Sequence, residues 1–86
     1  MHSNDPYWKL HGGFILKTNR KKIGFTQEQV AAIMDFPLRT YQRWEAEKAE
    51  PAFGIVMAFC ECVFKIELID AIVIAQEAID EHKRAG

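Results

Sequence analysis

Two cysteines, three prolines and no long apolar run are the first things this 86-residue sequence withholds. Cys60 and Cys62 stand two apart, a spacing that points them to different faces of a helix, and no second pair completes a zinc site. They read as two small, buried, reduced side chains. No apolar stretch reaches the roughly 18 residues that a membrane helix needs. The first residues, MHSNDPYWKL, lack a signal-peptide layout, so a cytoplasmic protein without membrane attachment is expected. The three histidines, His2, His11 and His82, are scattered. There is no Ser/His/Asp set, no pair of carboxylates in a plausible cleft and no Gly-rich phosphate loop. An enzyme, a cofactor and a metal site are therefore not expected.

Net charge is scarce as well, at −1. Its distribution is uneven. Residues 1–48 carry eight Lys/Arg against five Asp/Glu, a balance of +3, whereas residues 49–86 carry three against seven, a balance of −4. A basic front and an acidic back let one face meet phosphate while the whole stays near neutral.

What is present is a set of short segments of helix length in one domain, 1–86, divided at Asp5-Pro6, Gly12-Gly13, Gly24, Pro37, and Pro51 with Gly54. Asp5-Pro6 suits the cap and first position of an N-terminal turn or helix. From about Gly13 to Lys22 the sequence reads as a helix with cations near its C-terminus and Gly24 beyond its end. Thr26 caps the next helix, and Gln29 three residues on completes a capping-box pattern. Val30, Ala31 and Met34 share one face of that helix. Asp35-Phe36 is a turn, and Pro37 suits the first turn of another helix.

On a helical wheel of residues 38–46, Tyr41 and Trp44 share one face. Arg39, Gln42, Arg43 and Ala46 share the opposite one. The rings would anchor the helix to a core and the polar set would face outward. After Pro51, AFGIVMAFCECVF has a single charge, Glu61, and reads as a helix central in the core or shared with a partner. The last segment reads as a helix with Leu68, Ile72, Ala75 and Ile79 on one face and Glu67, Asp70, Glu77 and Glu81 opposite. A strand over 64–70 is the alternative, since that stretch is rich in β-branched residues, and segment length favours the helix.

A short helix, a tight turn and a second helix with an outward polar face have the geometry of a DNA-reading helix-turn-helix unit, placed at about 26–47. FTQEQVAAIMDFPLRTYQRWE further resembles the helix-turn-helix of the Cro and lambda-repressor-like regulators, the XRE-like group. The resemblance runs over residues 16–51. Gln27 stands at the family's first position and Ala31 at its small one. Met34, Phe36, Tyr41 and Trp44 stand at its apolar positions, followed by Glu45, Lys48 and Pro51 in the family's spacing.

The resemblance implies an all-α domain of four or five helices. It also implies a double-stranded DNA partner and roles for single residues. Leu38, Arg39, Gln42 and Arg43 match positions that face the major groove. Arg pairs with guanine, Gln with adenine, and Leu touches a thymine methyl. Gln27 matches a phosphate-gripping position at a helix N-terminus, and Lys48 a phosphate-contacting loop; Thr26 and Lys22 flank them as further phosphate contacts. Arg20 and Glu45 match a partly buried salt bridge. The sequence departs from the family at four points. Asp35 replaces the usual turn glycine, Pro37 the usual Ser/Thr cap, Leu38 a usual polar reader, and Asn19 a usual core leucine. For Asn19 the sequence offers no physical reason.

The expectation is a homodimeric, sequence-specific regulator, a repressor of phage or mobile-element type, reading a palindromic operator. The C-terminal segment, 52–84, would supply core and dimer contacts, with Ile66, Ile69, Ile72 and Val73 as candidates. Two rival readings stand beside it. One is an antitoxin-like module that holds a protein partner through the acidic, apolar C-terminal half. The other is an accessory subunit that binds DNA with little sequence preference.

Overall fold

The computed structural model describes residues 10–85. Five α-helices occur among them, with a π-helical turn before the last and no strand. The N-terminal turn expected around Asp5-Pro6 lies outside the described residues.

Helix α1, Gly12–Ile23, begins one residue before the expected start and takes both glycines into its first turn. His11 caps it, its Nδ1 accepting from the Gly13 N–H at 2.9 Å. The Glu50 carboxylate accepts from the Gly12 N–H at 2.7 Å and lies 3.1 Å from His11 Nε2. A side chain from far along the chain thus meets donors that every helix N-terminus leaves open. Gly13 is required by packing: a Cβ there would stand 1.6 Å from the Trp44 carbonyl oxygen. The helix ends as expected at Gly24, left-handed with φ 99°, whose N–H returns to the Arg20 carbonyl.

Helix α2, Gln27–Ile33, carries the full capping box: Thr26 Oγ1 accepts from the Gln29 N–H, and Gln29 Oε1 from the Thr26 N–H. Asp35 takes the left-handed conformation, φ 59°, that the family's turn glycine would otherwise supply. Pro37 sits just outside helix α3, Leu38–Glu45, at its cap position and without a side-chain cap bond. Helix α4 is Phe53–Phe59. It runs into the π-helical turn Cys60–Phe64, which ends at Lys65 in the left-handed region, φ 57°. Helix α5 is Leu68–Ala85. The strand alternative over 64–70 is therefore replaced by a π-turn, a left-handed residue and the start of a helix.

Phe59 is the centre of the core. Phe36, Tyr41, Trp44 and Phe64 surround it with ring centroids 5.5–6.4 Å away. The rings of Phe36 and Trp44 meet edge to face at 5.1 Å. Two expectations are corrected at the periphery. Cys60 is buried but Cys62 is exposed, because the π-turn presents them on opposite sides. On α5 the fully buried positions are Ala71 and Ala75, with Gln76 also buried. Leu68 and Ile72 only partly cover the core, and Ile79 is half-buried. Small residues on the buried line let α5 approach α1 closely. There Asn19 Nδ2 donates to the Ile15 carbonyl at 2.8 Å and to the Ala71 carbonyl at 3.0 Å. Asn19 is thus a polar link between α1 and α5 at the position where the family keeps leucine.

Candidate nucleic-acid interface

The α2–turn–α3 unit is held from behind. Tyr41 and Trp44 are buried, while Arg39, Gln42 and Arg43 on the other side of α3 are exposed. This is the division that the helical wheel predicts. The burial of two large rings mounts the polar face on a close-packed core.

Glu45 closes the unit. It is buried, and Arg20 of α1 grips it with two hydrogen bonds, Nε to Oε2 at 2.7 Å and Nη2 to Oε1 at 2.9 Å. Arg20 Nη1 also donates to the Phe25 carbonyl at 2.9 Å, which ties the turn before α2 to the same pair. Burial alone would raise the Glu45 carboxyl, but the Arg20 guanidinium, with the Tyr41 hydroxyl and the Gln27 amide beside it, outweighs this and holds the group below its ordinary value of 4.5. Arg20 is shifted up, chiefly by its bond to Glu45. The Tyr41 hydroxyl borders this carboxylate without a partner in hydrogen-bond geometry, and burial pushes its pKa well up.

One part of the network has no local sequence signal. Gln27 Nε2 donates to Glu45 Oε1 at 2.9 Å, and Gln27 Oε1 accepts from Gln42 Nε2 at 3.3 Å. Arg20, Glu45, Gln27 and Gln42 therefore form one continuous chain from the buried ion pair to the exposed face of α3. The partners are 15 to 25 residues apart in sequence, beyond the reach of any helical periodicity.

The remaining predicted residues are spread more widely. Thr26 is exposed and its oxygen is engaged as the α2 cap. Lys48 is exposed in the turn after α3. Lys22 is exposed but lines a cleft between α1 and α5 with Lys21, Glu77 and Glu81, apart from the Gln27–Gln42 group. Leu38, at the start of α3, is half-buried and packs against the core, so only part of it faces outward.

The helix-turn-helix family model of Cro/C1 type matches residues 16–62, more than half of the chain. The protein belongs to the Cro/C1-type (XRE) helix-turn-helix family. It is an all-α, lambda-repressor-like domain and a DNA-binding regulator of that type, in a family that is generally not enzymatic. No curated protein and no solved structure matches the chain significantly. Among the described residues, no helix is long and apolar enough to cross a membrane.

Proposed function

We propose that this Cro/C1-type protein is a homodimeric repressor that occupies a palindromic operator. The observation that carries the reading is the exposed Arg39, Gln42 and Arg43 face of α3, mounted on buried Tyr41 and Trp44 and flanked by Gln27 at the N-terminus of α2. Arg39 and Arg43 pair with guanine edges and Gln42 with adenine, while Leu38 offers its outer part to a thymine methyl. Gln27, Thr26 and Lys48 take backbone phosphates around that face, and Lys22 is the outlying contact. Two copies related by a two-fold axis would place their α3 helices in successive major grooves, about 34 Å apart.

The dimer contact would centre on Ile69, which is 58% exposed, with Phe53 at 68%. Phe53, Leu68 and Ile72 line a groove of about 430 Å³ whose floor includes Gly12 and Ile15 of α1. Ile66, Ile72 and Val73 are partly buried in their own chain and serve as its shoulders. The same exposed apolar side chains favour a second reading, in which this surface holds a different protein, as an antitoxin does.

Selection of sites from random duplex DNA at about physiological salt, with Arg39→Ala in parallel, tests the proposal. An inverted repeat enriched by the natural protein and lost with the variant is the expected result. Enrichment shared by both would remove Arg39 from the reading set.

A further inference from the structure

The apolar groove beside Phe53 has an entrance that the chain itself reaches. Its lining includes Leu10, Ile15, Pro51, Phe53, Leu68 and Ile72. Glu50 is the one charged residue in that lining. Leu10 is the first described residue, and it is half-buried against the core. Just after it the chain is pinned. His11 Nδ1 accepts from the Gly13 N–H at 2.9 Å, and Glu50 Oε2 accepts from the Gly12 N–H at 2.7 Å. These two bonds fix the start of α1, so the chain enters Leu10 at the edge of the groove.

Tyr7, Trp8 and Lys9 come just before that edge in the sequence. A chain spans at most about 3.6 Å per residue, so the Cα atoms of Trp8 and Leu10 are within roughly 7 Å of each other. At that range the indole ring is in reach of the groove. Residues two apart in an extended chain face the same side, which sends Trp8 after Leu10. An indole brings a large apolar body and one N–H that can stay at the rim. Lys9 brings the charge opposite to Glu50, whose side chain is 60% exposed. An apolar ring followed by a cation thus meets an apolar groove with one carboxylate in its wall.

We propose that this groove is the docking site of the chain's own segment 7–9. The Trp8 ring fills it beside Phe53, Leu68 and Ile72, and Lys9 pairs with Glu50. The segment is a built-in cover that closes the groove to a foreign peptide. A protein partner that takes this surface must first displace Trp8. Ile69 stands outside the lining, so the docking does not depend on the two-fold contact proposed above.

Fluorotryptophan incorporated into the full chain gives one fluorine resonance each for Trp8 and Trp44, and Trp8→Phe identifies the first. A docked Trp8 should resonate away from the free amino acid and respond little to exchange of water for heavy water. Phe53→Ser removes one wall of the groove at a residue that is 68% exposed, and circular dichroism checks that the fold is kept. In that variant the Trp8 resonance should move to the position of the free amino acid, with a full solvent response. Ile69→Asp, or dilution of the natural protein until sedimentation shows a monomer, should leave Trp8 docked. A free Trp8 resonance in the natural protein overturns the proposal. A shifted resonance that Phe53→Ser leaves in place overturns it too, since the ring is then buried elsewhere. A resonance that is shifted in a dimer and free in a monomer assigns the groove to a second copy and overturns docking within the chain.

Discussion

Asn19 is 1% exposed and its amide nitrogen is fully used, with one bond to its own helix and one to α5. Its Oδ1 has no partner. A buried amide of this kind specifies the α1–α5 contact by direction, which leucine at the same place would do only by shape. Asn19→Asp removes the donor and sets a carboxylate against two carbonyl oxygens. The variant should lose about 3 kcal/mol or more at pH 7. Its carboxyl is raised by burial in the folded state, so the penalty applies where the unfolded chain ionises and shrinks as protonation restores an O–H donor. The gap in melting temperature from the natural protein should narrow between pH 7 and pH 4, and a constant gap would contradict this account. Single residues were legible where their partners are close in sequence. Thr26 with Gln29, Gly24, and Asp35 in its turn all stand as read. Asn19 was not, because its partner is 52 residues away. Nor was the separate fate of Cys60, buried with its thiol pushed up to about 11, and exposed Cys62.

At the scale of elements, α1 is bound to α3 at both ends. Gly13 lets the α1 N-terminus press against the Trp44 carbonyl, and Arg20 near the other end grips Glu45. The ion pair brings a pH dependence whose sign follows from Glu45. Its folded pKa is depressed, so its stabilisation is present above the ordinary value of 4.5 and is lost as pH falls through the lower, folded value. Glu45→Gln leaves the Arg20 charge partly buried and should cost about 3–5 kcal/mol at neutral pH. Urea denaturation of the two proteins should give widely separated midpoints at pH 7 that draw together below about pH 4. Equal separation at both pH values would assign the loss to packing. Caps and punctuation placed α1 and α2, segment length decided for α5, and on α3 periodicity placed the faces as well. On α5 it placed Ala75 on the buried face but missed Ala71, and Leu68 and Ile72 cover the core only in part.

At the scale of the molecule, α5 is the long element, 18 residues, with an acidic outer face and its apolar beginning beside the exposed Phe53. An exposed isoleucine and phenylalanine next to an apolar groove are a reasonable centre for a two-fold contact. Ile69→Asp places a charge at the centre of the proposed two-fold contact. Sedimentation should show the natural protein as a dimer and the variant as a folded monomer, with operator affinity reduced at least tenfold, as for any dimer whose half-sites must bind singly. A variant that sediments like the natural protein would move the interface elsewhere.

The sequence by itself determined the C-terminal end of α1, the capped start of α2, the turn between α2 and α3, the division of α3 into ring face and polar face, and the membership of the Cro/C1-type family. Each depends on residues within about one or two turns of one another, or on a pattern of types at short spacing. Only the tertiary structure decided which line of α5 is buried, why Asn19 is polar, that Cys62 is exposed, and how Arg20, Glu45, Gln27 and Gln42 join. These are set by distances between segments that the chain brings together only on folding, and a buried hydrogen bond carries its direction from one segment to the next.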